Sequence, residues 1–287
     1  MNRRDALRYS LSAGLSTLAC PALFGFPALA ADSRFRIGAC DWSIGPAGGV
    51  GAFAVAKQIG LDGVQVSLNT VADHNHLRRP ETQQAYQEAA KKMGVGFSGL
   101  AIGLLNDIPY KSDPRTEQWV QDSIDVAQAL GVRTVLLAFF SKNDLRNDKK
   151  GTQAVVDKLK AVAPKAERAG VVLGIESWLS APEHLAIMDD VGSSAVKVYY
   201  DVCNSSVMGY DIFSEIRMLG KDRISEFHLK ENGFLLGNGK IDLTKVRRAM
   251  DDIGYSGWLQ IEGAIPAGKP IVDSYVENNR TVRSLFV

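Results

Sequence analysis

The sequence predicts an α/β fold: a single (β/α)8 barrel, eight parallel strands each followed by a helix. Three observations predict it. One phrase repeats from residue 35 onward, a short apolar run, a loop, an amphipathic stretch and a closing glycine. Strand patterns that alternate with helix patterns imply parallel βαβ units. The apolar runs are nearly continuous, which implies strands buried on both faces. Eight such phrases over about 255 residues give the count and size of a TIM barrel.

Taken in order, RFRIGAC (34–40) is the first strand and GAFAVAKQIG (51–60) its helix. GVQVSL (63–68) precedes ETQQAYQEAAKKMG (81–94), and VGFSGLAI (95–102) precedes EQWVQDSIDVAQALG (117–131). RTVLLAFF (133–140) leads to TQAVVDKLKAVAPKAERAG (152–170), and VVLGIE (171–176) to PEHLAIMDDVG (182–192). KVYYD (197–201), ISEFHL (224–229) and GWLQIEG (257–263) are strands six to eight. Their helices are DIFSEIRMLG (211–220), LTKVRRAMDDIG (243–254) and VDSYVENNRTVRSLF (272–286). Glycine closes most of these helices because it tolerates the left-handed backbone at a helix end. A doubly wound open sheet is the alternative. It usually brings a Gly-rich turn after strand one, but the glycines of CDWSIGPAGGVGAF (40–53) lack dinucleotide spacing.

Residues 1–30 read differently. A basic start, MNRRDALRYS, is followed by the small and apolar LSAGLSTLACPALFGFPALA, which closes on Ala28-Leu29-Ala30. That is the layout of a cleaved export signal. The pair Arg3-Arg4 resembles the twin-arginine pattern, with Ala6 where that pattern has Phe. Pro21, Pro27 and the glycines argue against a spanning anchor of about 20 apolar residues. Thr17-Leu18-Ala19 fit a lipoprotein site at Cys20 poorly. The expectation is an export segment at 1–30, a barrel domain at 31–287, passage through the twin-arginine machinery and a periplasmic location. Folded export would allow a cofactor to be loaded first.

Removing the segment takes 33 basic and 32 acidic residues to 30 and 31. No basic block remains, so nucleic-acid binding has no electrostatic footprint. Cys40 and Cys203 do not make a disulfide framework. Exposed barrel faces often pair, so a homo-oligomer is the expectation.

Reactive side chains of such barrels sit at the C-terminal ends of strands. Strand five ends at Glu176, six at Asp201, seven at His228 and eight at Glu262. Each has a plain reading alone. A strand-end acid often caps the next helix, and a strand-end histidine often packs. Four in succession point to a metal, because three acids at one mouth repel unless a cation or protons offset them. Three oxygen donors and one imidazole suit Mn²⁺ first, then Mg²⁺, Co²⁺ or Zn²⁺. Cys203 reads as core or loop rather than a ligand.

The motifs GIES (174–177), YYDVCN (199–204), EFHLKEN (226–232) with LGNGKID (236–242), and LQIEG (259–263) resemble those of the xylose-isomerase-like barrel superfamily of sugar isomerases and epimerases. The resemblance covers the mature chain and is nearest to the ketose 3-epimerases and the hydroxypyruvate and inosose enzymes. It implies one divalent ion held by Glu176, Asp201, His228 and Glu262, with Glu176 and Glu262 also moving protons. Two positions depart from the pattern. Asn204 stands where relatives often have a substrate-binding His, and the GVQVS run carries Gln65 where they often have Glu. These departures bear on the sugar more than on the metal.

The chemistry is a C–H acidified beside a carbonyl. A metal on the carbonyl and hydroxyl oxygens stabilises the enediolate, and a carboxylate takes the proton. Return of a proton to the same carbon epimerises; return to its neighbour isomerises. Expulsion of a β-leaving group from a keto-sugar or keto-glycoside would make the enzyme a lyase or dehydratase. A non-catalytic sugar-binding barrel is the rival from another class. A multi-metal phosphodiesterase needs more histidines than the four present.

Further candidates flank the four. Lys230 stabilises an oxyanion or pairs with Glu231 at the rim. Trp178 stacks on a sugar face or simply packs. Trp42 and Asp41 line the mouth after strand one, and Asn106 and Asp107 bind hydroxyls after strand three. His74 and His76 mark a second metal or a solvated loop. His184, in a first helical turn, belongs to the surface or rim. An exported enzyme meets free sugars, so a non-phosphorylated carbohydrate is the expected small-molecule substrate.

Overall fold

The computed structural model describes residues 34–287, so the export segment lies outside the described residues. The eight strands are β1 (Phe35–Cys40), β2 (Gly63–Ser67), β3 (Gly96–Ile102), β4 (Thr134–Phe139), β5 (Val172–Ser177), β6 (Val196–Asp201), β7 (Ile224–Glu231) and β8 (Gly257–Gly263). All pair in parallel with their sequence neighbours, and β8 returns to β1 with Ala39 opposite Ile261. The result is one closed barrel in the order β1 to β8.

The described residues form ten α-helices rather than eight: α1 (Asp41–Ile44), α2 (Ala52–Ile59), α3 (Pro80–Met93), α4 (Arg115–Leu130), α5 (Lys149–Ala169), α6 (Ala181–Val191), α7 (Val202–Val207), α8 (Ile212–Arg223), α9 (Leu243–Asp252) and α10 (Ile271–Phe286). The extra two are α1 and α7, which start on the residues directly after β1 and β6. They are too short to show an apolar period. What starts α7 is a cap: Asp201 Oδ1 accepts the N–H groups of Cys203 and Asn204, both at 2.8 Å. The last residue of β6 is therefore also a helix cap, which aims its other oxygen back into the barrel.

The large helices form where the sequence placed their stripes. The start of α6 is a capping box, with Ser180 and Glu183 satisfying each other's backbone. It ends at Gly192 with φ 71°, a left-handed conformation that costs glycine nothing. Among the described residues, no helix is long and apolar enough to cross a membrane.

The main apolar core lies between the sheet and the helices, with Ile37, Val64, Leu100, Leu137, Ile175, Phe227 and Ile261 fully covered. The lumen is different. Inside the barrel, Gln65, Ser98, Glu226, Gln260 and His228 are buried beside Tyr199. A Cβ at Gly38 would lie 2.7 Å from Ser98 Oγ, so β1 must be bare there to leave room for this polar layer. The strands are buried on both faces as their composition implies, but the inner face is substantially polar.

Candidate metal and sugar site

Strand residues two apart share a face. On β7 that rule puts Glu226, His228 and Lys230 in one inward file. The strand runs on to Glu231, so Lys230 is still in register, opposite Glu262 of β8. Asp201 of β6 lies opposite His228. Strand tilt and stagger then bring different levels of the barrel together. His228 Nδ1 is 2.8 Å from Glu176 Oε1, 3.6 Å from Glu262 Oε2 and 3.9 Å from Asp201 Oδ2. One donor atom from each of the four lies within 4.8 Å of the others.

The electrostatics are those of crowded buried charge. Burial pushes the Asp201 carboxyl up to about 7, with Glu176 and Glu262 adding to the rise and Lys230 opposing it. Burial pushes Glu262 the same way, but His228, Lys230 and hydrogen bonds from Lys230 and Trp42 win and lower it to about 2. Lys230 Nζ and Trp42 Nε1 each donate to it at 2.8 Å. Burial lowers the basicity of His228, but the facing Cys40, Glu176 and Glu262 outweigh that and raise it.

Asp201 Oδ2 is buried and accepts no hydrogen bond. A buried carboxylate oxygen without a donor is costly. A divalent cation among these four donors would satisfy it, and three carboxylates with one imidazole are an ordinary hard-metal set. The residues present therefore fit a divalent ion.

Above the cluster opens a cavity of about 380 Å³. Trp42, Phe140 and Trp178 give it aromatic walls, Asn69, Asn106 and Asn204 give it amides, and Glu176, Lys230 and Glu262 form its floor. The indole N–H of Trp42 is committed to Glu262, so its ring face is the part left as wall. Trp178 packs edge-on against Phe140, with centroids 5.0 Å apart, and Arg146 lies over its ring. Asn106 Oδ1 accepts the Phe140 N–H at 2.9 Å, which ties the loop after β3 to the end of β4.

Several expectations need correction. Asp41 does not line the mouth. It is fully buried, accepting the Ser67 hydroxyl at 2.7 Å and the N–H groups of Ser67 and Gly48, and so it ties β1 to β2. Asp107 is exposed and outside the cavity lining. Lys230 does not pair with Glu231. Neighbouring strand residues face opposite ways, and Glu231 instead accepts the N–H groups of Lys240 and Ile241, organising the LGNGKID loop. A Cβ at Gly239 of that loop would collide with the Glu231 carboxylate.

His184 is buried rather than at the rim. Its ring nitrogens meet the Ser177 hydroxyl at 2.9 Å and the Ser180 carbonyl at 3.1 Å, and burial pushes its pKa down to about 4. The first turn of α6 folds back over the end of β5, and sequence period does not reveal that. His74 lies edge-on to Trp119, and His76 shares a hydrogen bond with the Tyr86 hydroxyl, so the pair is tied to helices rather than freely solvated. Cys203 is a buried thiol beside the cluster but not in it.

The sequence reading missed Asn69 and Phe140, and it took Gln65 only as a departure bearing on the sugar and Cys40 only as a free thiol. Asn69 borders the cavity with both amide atoms buried and unpartnered, and Phe140 forms a wall. Gln65 and Cys40 lie beneath His228, 3.1 Å and 3.3 Å from its Nε2. For Gln65 the available signal was a polar residue inside the otherwise apolar run of β2.

The chain matches the family described as xylose isomerase-like TIM barrel over residues 53–283, and it belongs to that family. It is 28% identical over 200 residues to a 2-epi-5-epi-valiolone 7-phosphate 2-epimerase of Actinoplanes, covering 68% of this chain and 72% of that protein. It is 30% identical over 137 residues to a D-psicose 3-epimerase of Enterocloster bolteae, covering 44% of this chain and 45% of that protein. A crystal structure of D-psicose 3-epimerase in the presence of D-fructose superposes with a TM-score of 0.74 at 17% identity, covering 88% of this chain and 99% of that one. At that identity the shared property is the fold.

Proposed function

We propose that the chain is a divalent-metal-dependent sugar isomerase or epimerase acting by proton transfer beside a carbonyl. The observation that carries this reading is the convergence of Glu176, Asp201, His228 and Glu262 on the floor of a sugar-sized cavity. The epimerase names of the relatives agree with it. Glu176, Asp201, His228 and Glu262 would hold the ion, Mn²⁺ by preference. When bound, it supplies positive charge that offsets the three carboxylates and stabilises a developing enediolate.

The chain's own residues do the rest. Glu176 bears one short contact, to His228, and is the freer base for a substrate C–H. Glu262 is held as a carboxylate by Lys230. If Lys230 is drawn to a substrate oxyanion, Glu262 loses that donor and gains basicity, which suits the second proton transfer. Trp42, Phe140 and Trp178 offer apolar faces to a sugar ring and exclude water. Asn204 and Asn106 offer amides to its hydroxyls.

The substrate we propose carries no phosphate. Among the described residues lining the cavity, the sole cation is Lys230, and Glu262 already holds it at 2.8 Å. A phosphate would want a free Arg or Lys cluster. The basic, apolar and Ala-Leu-Ala layout of residues 1–30 supports export by the twin-arginine route to the periplasm, where free sugars are the available class.

The test is solvent-deuterium incorporation followed by NMR, with metal-stripped and Mn²⁺-refilled protein and a panel of free ketoses, aldoses and keto-glycosides. Metal-dependent deuterium at one carbon is expected. Release of an aglycone alongside it would make the enzyme a lyase using the same proton abstraction. Absence of exchange across the panel in refilled protein would overturn the enzymatic reading.

A further inference from the structure

Beneath the four-residue cluster runs a row of side chains with no part in the proposed reaction. Ser98 donates to Gln260 Oε1 at 2.9 Å, so the Gln260 amide nitrogen turns to Glu226 Oε2, at 3.2 Å. Tyr199 donates its hydroxyl proton to the same oxygen, at 3.2 Å. Its oxygen is then free to accept from Gln65 Nε2, also at 3.2 Å. That leaves Gln65 Oε1 facing Cys40 Sγ at 3.2 Å and His228 Nε2 at 3.1 Å. All of these side chains are buried.

The row has a direction. As a carboxylate, Glu226 can only accept from Tyr199 and Gln260, and in that state Tyr199, and then Gln65, must point this way. An amide oxygen against His228 Nε2 requires a proton on Nε2. The ring's other nitrogen, Nδ1, faces Glu176, Glu262 and Asp201. In the neutral imidazole, a proton on Nε2 leaves the Nδ1 lone pair free. The reversed amide would set an NH₂ group against Nε2, place the proton on Nδ1 and remove the cluster's single nitrogen donor.

We infer that Gln65 is a positioning residue that holds His228 in its Nε2–H tautomer, so that Nδ1 is the metal donor, with Tyr199 and Glu226 orienting Gln65 in turn. The inference rests on reading the cluster as a divalent-metal site. It gives a reason for glutamine at this position in β2. A carboxylate would accept the same proton but could not donate to Tyr199, and it would add a fourth acid to the site.

Two measurements test it on the whole protein. The first is Mn²⁺ affinity by titration calorimetry for the wild type, Gln65→Leu and Tyr199→Phe. Loss of the outer partner of a ligating histidine typically weakens metal binding by about 10- to 100-fold. Gln65→Leu is expected in that range, and Tyr199→Phe, one partner further out, in the same direction by a smaller factor of about 3- to 10-fold. The second is ¹⁵N NMR of the Zn²⁺-loaded wild type, a diamagnetic form, where His228 should carry a slowly exchanging proton on Nε2.

Zn²⁺-loaded wild type with the proton on Nδ1 overturns the inference, whether or not any variant folds. Gln65→Leu that is less heat-stable yet binds Mn²⁺ as tightly as wild type also overturns it, because Gln65 is then merely structural. Tyr199→Phe with unchanged affinity and an unchanged Nε2 proton overturns the row behind Gln65. Wild type that binds neither ion refutes the metal site itself. Wild type that binds while the variants match it refutes only the role of Gln65.

Discussion

Asp201 and Glu226 both point into the barrel from adjacent strands, and burial raises both carboxyls to about 7. Their surroundings differ in one respect. Glu226 Oε2 has donors in Tyr199 and Gln260, all neutral partners in a closed polar layer. Asp201 Oδ2 has no hydrogen-bond partner and shares its space with Glu176 and Glu262. Burial of an acid therefore does not by itself mark a functional site. Unspent acceptor capacity among like charges does, because such an arrangement is stable only with a cation or extra protons present.

The largest effects that sharpen this contrast fall on the upper layer. Glu176→Gln and Glu262→Gln should each lower turnover by about 10²- to 10⁴-fold while keeping part of the metal affinity. Single-turnover deuterium exchange checks this, and near-wild-type exchange in both variants would sink the two-carboxylate mechanism. His228→Ala should weaken Mn²⁺ binding by at least roughly tenfold, since it removes the single nitrogen donor. Equilibrium dialysis at fixed pH reads it, and an unchanged affinity would refute the four-donor set.

A smaller effect separates the two acids by pH. Each has a folded pKa above its unfolded value, so the folded state holds the extra proton. Stability from that proton is present below the unfolded pKa and is lost as pH rises from about 4 through about 7. For Glu226 the full loss is about 3 kcal/mol. Glu226→Gln should flatten its share of the slope without changing Mn²⁺ affinity tenfold. Saturating Mn²⁺ should remove the Asp201 share and leave the Glu226 share. Urea melts across pH 5 to 8, with and without Mn²⁺, make the comparison, and a Glu226 slope that vanished with metal would break it. The smallest effect belongs to Asn69. Its amide is buried and unpartnered, so Asn69→Leu should leave thermal stability within about 1 kcal/mol or improve it, while raising KM for sugar.

The helices and strands were legible because period and glycine are local signals. The alternation of apolar runs and striped segments named every barrel strand, and glycine marked most helix ends. The four-residue cluster was legible for a related reason: each member lies at or within three residues of the C-terminal end of its strand, and those ends of a barrel share one mouth. Helices α1 and α7 were not legible, since a four- or six-residue helix begun by a cap has no period. Asp41 and His184 were misplaced because their partners, Ser67 and Ser177, are set by how a loop folds back over a strand.

The sequence alone determined a closed eight-unit barrel with four candidate metal ligands at its mouth. Those properties follow from short-range backbone periodicity and from the order of strands along the chain. Only the tertiary structure decided that Lys230 serves Glu262 rather than Glu231, that Asp201 keeps one oxygen without a partner, and that Gln65 reaches His228. Those outcomes depend on the stagger between tilted strands. A shift of one residue in register would turn each inward side chain to the other face, and no local pattern in the sequence records that register.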